Sequence, residues 1–195
     1  MTDASQENKE IARRVASVFG GNPAVQRFYD ESDEHFVDIL ASHDAPQEGL
    51  TSYSTIGLSD WGLFLDGKEY PARVELVGAC ESSVRCFEEV LATAAFCIIN
   101  TKWFCAPGVI FEDVVAVHQC SKTMRHLMLI PPFLWDGQLE TLTLEFPKKT
   151  VAWLLAVPVS QSELEYASKN GPDKLEDLFE QEQIDIFDID REPVV

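Results

Sequence analysis

The side chains best suited to covalent or metal chemistry are four histidines (His35, His43, His118, His126) and five cysteines (Cys80, Cys86, Cys97, Cys105, Cys120). Structural zinc sites draw their ligands in close Cys-x-x-Cys and His-x-x-x-His pairs. Here the nearest approach is His118-Gln119-Cys120, with Cys105 and His126 some way off. Asp185, Asp188 and Asp190 lack the glycine and closing glutamate of a calcium loop. A serine or cysteine nucleophile needs an activating base, and neither a Gly-x-Ser-x-Gly elbow nor a cysteine-protease signature occurs. No phosphate-cradling glycine motif is present, and Gly20-Gly21 follows a helical pattern instead of opening one. The expected behaviour is therefore that of a non-enzyme with no cofactor and no metal. His126 should end in a hydrogen bond beside a sheet, with Cys97 and Cys105 in the core. The alternative, a hydrolase built on Cys and His, would be favoured by a thiol titrating far below its ordinary range.

A second kind of chemistry lies in the charge. The 195 residues carry 33 Asp plus Glu against 15 Lys plus Arg, a formal net charge of −18, and no basic run exceeds a pair such as Lys148-Lys149. Nucleic-acid binders cluster their cations, so direct contact with nucleic acid is not expected. A field of this sign steers cationic protein surfaces instead, although it also serves plain solubility. The acids are uneven, with 11 against 3 bases in residues 159–195 and 12 against 8 in residues 50–158. Met1 to Glu7 lacks the basic and apolar regions of a secretory signal, and no uninterrupted apolar run approaches the roughly 18 residues of a membrane span. With five separated cysteines in apolar surroundings, this predicts reduced thiols, no disulfide, a cytoplasmic location and no membrane partner.

One segment suits recognition. Thr51-Ser52-Tyr53-Ser54-Thr55-Ile56-Gly57-Leu58-Ser59-Asp60-Trp61 offers small hydroxyls, a glycine, an acceptor and an aromatic anchor on one edge. Its plainer reading is a Thr/Ser strand running into a turn.

These residues need elements to position them. Ile11, Ala12, Val15, Val18 and Phe19 form one stripe of an amphipathic helix over residues 7–19, stopped by Gly20-Gly21-Asn22-Pro23. Val25–Tyr29 and His35–Ala41 read as a hairpin, and residues 50–58 and Arg73–Val77 as strands. Over Ser83–Ile99 the period changes: Val84, Phe87, Leu91, Ala94, Ala95 and Ile98 mark a core helix capped by Ser82 or Ser83, with Glu88 and Glu89 slightly late for its first turn. Further strands are predicted at Val109–Val117, Leu127–Ile130, Leu139–Phe146 and Val151–Val159. In the third of these Leu142, Leu144 and Phe146 alternate with polar residues, as in a sheet with one wet face. Ser160-Gln161-Ser162-Glu163 is a capping box, its helix ends at Asn170-Gly171, and Pro172 opens another with Leu175, Leu178 and Phe179 on one face. Ile184, Ile186, Phe187 and Ile189 should pin the acidic C-terminal end to the body. The sum is one α+β domain over residues 1–195. Its mainly antiparallel mixed sheet is packed by a long core helix, with short N- and C-terminal helices.

Gly57-Leu58-Ser59-Asp60 followed by Arg73-Val74-Glu75-Leu76 resembles the fingerprint of the suppressor-of-fused domain family. The likeness continues through Phe87–Asn100, Pro107-Gly108, His126 with Pro131-Pro132-Phe133-Leu134-Trp135, Trp153-Leu154, Val157-Pro158-Val159-Ser160, Glu163, Gly171 and Asp188-Ile189-Asp190-Arg191. In length the chain is similar to the compact bacterial members. The resemblance implies a protein-binding domain without enzymatic activity. Similar bacterial domains accompany polymorphic toxins as immunity proteins or antitoxins, and many such toxins are nucleases with basic surfaces. The implied partner is therefore a basic toxin, bound stoichiometrically. The alternative is a regulatory or scaffold module that binds a housekeeping protein through a sheet edge. Candidate partner-binding residues are Tyr53, Ser59, Asp60, Trp61 and Glu75, where Glu75 has the alternative of a buried pairing with Arg73 or Arg191.

Overall fold

A computed structural model describes residues 4–145 and 148–195, so Phe146 lies outside the described residues. Helix α1 (Gln6–Phe19) leads into a hairpin of β1 (Ala24–Tyr29) and β2 (Phe36–His43), then β3 (Leu50–Ile56). A two-residue-per-strand hairpin, β4 (Phe64–Leu65) and β5 (Lys68–Glu69), precedes the long strand β6 (Ala72–Glu81) and the helix α2 (Phe87–Thr101). β7 (Ile110–Phe111), β8 (Met124–Ile130), β9 (Thr141–Glu145) and β10 (Lys148–Ser160) follow, and α3 (Gln161–Asn170) and α4 (Pro172–Glu182) come last.

The main sheet has eight strands in the order β1-β2-β3-β6-β10-β8-β7, with β9 paired to the first half of β10. Every pairing is antiparallel except β6 with β10, which run parallel from Ala72 opposite Thr150 to Val77 opposite Leu155. The α+β class with a mainly antiparallel mixed sheet is thus what the chain adopts.

Residue alternation along the strands divides the core in two. Ile39, Leu76, Leu127, Leu129 and Leu154 face α2, while Leu40, Val77, Met128, Trp153 and Leu155 face α1, α3 and α4. Both faces of the central strands are covered, which is why they read as continuous apolar runs. Only peripheral β9 keeps the wet-face alternation, burying Leu144 and exposing Thr141, Thr143 and Glu145. Ile11, Val15 and Phe19 dock α1 through one stripe, and α3 carries the expected Ser160–Glu163 capping box.

Three local expectations are corrected. α2 begins at Phe87 behind Cys86, not at Ser82 or Ser83, so Glu88 and Glu89 do stand in its first turn, where carboxylates favour the helix dipole. Of Val109–Val117 only Ile110 and Phe111 pair with β8; Ala116–His118 forms a short 3₁₀ turn. Cys86 and Cys120 form a disulfide, with Cα atoms 6.0 Å apart. That turn packs on α2 through a 2.8 Å hydrogen bond between His118 Nε2 and Thr93 Oγ1, which carries Cys120 back to the start of the helix.

Gly78 lets the sheet approach α2 closely. A Cβ added there would lie 2.5 Å from Cε1 of Phe87, a ring only 1% exposed. Gly78→Ala is expected to lower stability by about 1–3 kcal/mol through overpacking. Urea denaturation checks this, and an unchanged midpoint would mean the ring has room to move.

Candidate functional site

Gly57, with φ of 94°, turns the chain out of β3 into a 3₁₀ turn over Leu58–Asp60. The first N–H groups of such a turn have no internal partner. Glu75, reaching across from β6 and fully buried, supplies one: its Oε1 accepts the N–H of Gly57 and the N–H of Ser59, both at 3.0 Å. Its Oε2 accepts the Thr55 hydroxyl at 2.6 Å, and that hydroxyl accepts the Leu76 N–H at 2.8 Å. One carboxylate therefore fixes the end of β3 and the turn after it. Burial pushes its pKa up to about 7, against the Thr55, Ser59 and Gly57 hydrogen bonds that favour the ionised form. Glu75 does not pair with Arg73 or Arg191, because those side chains are engaged by Glu69 and Glu163 respectively.

The structure brings Ser59, Asp60, Trp61 and Glu75 together and leaves Tyr53 apart. Tyr53 is 6% exposed and packs its ring 5.6 Å from that of Phe87, inside the α2 layer. Ser59 is buried as well. Asp60 and Trp61 reach the surface. Asp60 is tied by Asn8 of α1, whose Nδ2 donates to Oδ2 at 2.8 Å, and by Lys149, whose Nζ donates to Oδ1 at 3.0 Å. Lys149 also pairs with Glu7, so one ammonium joins α1, the turn and β10. Trp61 is half-buried, with the His35 ring edge-on at 4.7 Å and the Lys102 ammonium 5.2 Å from its centroid.

Beside the turn lies a surface built on strands of only two residues each. The β4–β5 hairpin exposes Phe64, Leu65 and, just after it, Tyr70. Tyr70 stands edge-on to Phe104 at 5.7 Å, next to exposed Trp103 and the Lys102 that covers Trp61. The hairpin, Trp61 and the end of α2 thus share one aromatic surface. Its sequence signal is Asp66-Gly67 between apolar and charged residues, both in left-handed backbone, the two-residue turn favoured by hairpins.

Nucleophilic chemistry finds no support in the thiols. Burial pushes Cys80 and Cys105 up to about 12 and raises Cys97, the wrong direction for a thiolate. His126 has both ring nitrogens engaged, Nδ1 by the Asp113 N–H at 2.9 Å and Nε2 by Gln161 at 3.1 Å, beside the sheet as expected. Among the described residues no three His, Cys, Asp or Glu side chains are grouped to hold a metal ion, and no helix is long and apolar enough to cross a membrane. Asp190 accepts the Ser121 hydroxyl and the Lys122 N–H.

A family model described as suppressor of fused protein matches residues 33–192. The immunity protein YqcF of Bacillus subtilis (strain 168) is 50% identical over 191 residues, 98% of each chain. Among solved structures, a suppressor-of-fused homologue from Neisseria gonorrhoeae superposes with a TM-score of 0.67 at 16% identity, covering 97% of both chains. Drosophila Suppressor of Fused gives 0.66 at 14% identity, covering 96% of this chain and 51% of its own. At such identities these two superpositions speak for the fold alone.

Proposed function

The chain belongs to the suppressor-of-fused family, and on that premise we propose that it is an immunity protein, which neutralises a basic toxin in the cytoplasm by stoichiometric binding and performs no chemistry of its own. The observation that carries this reading is the half-identity to an immunity protein along essentially the whole of both chains. Three others support it. The net charge of −18 speeds encounter with a cationic face. The free thiols are held protonated by burial. An exposed aromatic surface adjoins Trp61, and aromatic anchors carry most of the binding energy at protein interfaces.

In this reading the five candidate residues divide their roles. Asp60 and Trp61 make contact with the toxin; Glu75 and Ser59 hold the turn that presents them, and Tyr53 supports β3 from within the core. Affinity capture from the native cell tests the function: a basic protein retained at one-to-one ratio through washing at moderate salt is expected, and recovery of none would remove the proposal. Asp60→Asn with Trp61→Ala tests the surface. Neutralisation should weaken about 10- to 100-fold with folding intact, whereas full activity of the folded variant would place the contact elsewhere.

One observation favours a second reading. β1 is an outer strand of the sheet whose Val25 and Tyr29 are more than half exposed, so a regulatory partner could add a strand there. Capture of a housekeeping protein, lost when Val25→Pro blocks the edge, would select that reading.

A further inference from the structure

A cleft lies on the opposite layer from α2, between α4, the chain after β8 and the segment after α4. It encloses about 800 Å³. Its floor is apolar, formed chiefly by Phe133, Leu134, Phe179, Ile184 and Ile186. Phe133 is 58% exposed, an aromatic ring of the lining left to solvent. The charged lining of the cleft has one sign: Asp173, Glu176, Asp177, Glu180 and Asp185 line it, and among the described residues no basic side chain does.

The arrangement of these carboxylates has a period. Asp173, Glu176, Asp177 and Glu180 are spaced three, four and seven residues along α4, so they form a single stripe about 10 Å long on the wall of the cleft. Among the described residues only Asp177 has a basic partner, Lys174 at 2.7 Å, and that pair is exposed. Burial, then Asp173 and Asp177, raise the Glu176 carboxyl; an incoming cation would relieve this crowding. An apolar trough walled by a helix with carboxylates at helical spacing complements a helix with apolar residues on one face and Lys or Arg beside them. A second copy of the chain is a poor occupant, since it brings the same acidic lining and the same −18 charge.

We propose that this cleft is a docking groove for a basic amphipathic helix of two to three turns from a protein partner, its apolar side on Phe133 and Phe179 and its cations on the α4 stripe. The inference rests on the immunity reading only in taking that partner to be the toxin. It adds a contact surface distinct from Trp61.

A synthetic peptide of about 14 residues, Leu and Lys placed to make one apolar and one cationic face, probes the groove directly by calorimetry. One-to-one binding that weakens at high salt is expected. The variant Phe133→Ala, Asp177→Lys, Glu180→Lys should bind at least about tenfold more weakly. A charge-matched control, Glu10→Lys with Glu48→Lys, should bind like the parent. Equal binding by the groove variant, equal loss in the control, or equal binding of a Leu/Glu peptide would overturn the groove. So would a dimer of the parent chain that the groove variant dissociates. The toxin captured above separates the two proposals. If the parent neutralises it and the groove variant does so at the same dose, the groove is not the toxin contact and the immunity reading stands. If the peptide binds the groove while no toxin is neutralised, the groove stands and the immunity reading falls.

Discussion

Arg191→Ala is expected to destabilise the chain by about 3–5 kcal/mol, the cost of leaving a buried charge without its partner. Glu163 is fully buried and Arg191 is 7% exposed. The guanidinium makes a two-pronged contact with the carboxylate, Nη1 to Oε1 at 2.6 Å and Nη2 to Oε2 at 3.0 Å, and Nη2 also donates to the Pro158 carbonyl at 3.1 Å. The same carboxylate accepts the Ser160 N–H at 2.8 Å, closing the capping box of α3, and the Val194 N–H at 3.1 Å. One pair thus joins the end of β10, the start of α3 and the last residues of the chain. The Arg191 guanidinium also lies 5.0 Å from the centre of the Phe179 ring, on α4. Arg191→Lys keeps the charge but not the fork and should fall between parent and alanine. Urea denaturation measures the series. A loss under about 1 kcal/mol for Arg191→Ala would mean that water reaches Glu163 once the arginine is gone.

The contrast between this pair and its surroundings explains what could be read in the sequence. Ser160 and Glu163 declare themselves because a capping box is a local pattern, and Pro172 after Gly171 does so for the same reason. Arg191 lies 28 residues from Glu163, and no short-range rule connects them. Glu75 is similar: its partners Gly57 and Ser59 come from another strand's end, so the sequence offered Arg73 and Arg191 as equally reasonable mates. The Cys86–Cys120 disulfide depends on how a 3₁₀ turn docks on α2, which neither cysteine spacing nor composition encodes. Val109–Val117 misled because an apolar run records burial, and burial there is achieved by a turn that tucks Val114 and Val115 under the sheet. The β4–β5 hairpin went unread although Asp66-Gly67 signals its turn, because its two-residue strands are too short to alternate visibly. Of the candidate site, the turn itself was visible, but the division between surface residues and buried supports was not. A hydroxyl or carboxylate has the same identity whether it faces a partner or a backbone amide.

Glu75 is where that division can be measured, and the expected result is a pH dependence that vanishes on one substitution. An ordinary glutamate titrates near 4.5, whereas Glu75 titrates at about 7 in the fold because of its burial. Between those values the folded chain holds a proton that the unfolded chain has lost, so folding stability falls as pH rises through the window and levels off above it. The full effect is about 3 kcal/mol at most, since each pKa unit corresponds to about 1.4 kcal/mol. Glu75→Gln should remove this slope. Its carboxamide oxygen can take the Gly57 and Ser59 amides, and its NH₂ can donate to Thr55 Oγ1, whose proton then turns to the Leu76 carbonyl 3.5 Å away. The parent-minus-variant stability should therefore decline from pH 5 to pH 8, and parallel curves would mean that the carboxylate is ionised throughout. Glu75→Ala has no such substitute. It strands the buried Ser59 N–H, the Gly57 N–H and the Thr55 hydroxyl together, at a cost of about 3 kcal/mol or more. With the turn released, Asp60 and Trp61 lose their fixed position, so if they make the proposed contact this variant should lose toxin binding even at temperatures where the sheet remains folded. Binding preserved in a folded Glu75→Ala chain would show that the turn holds its shape through Asn8 and Lys149 alone.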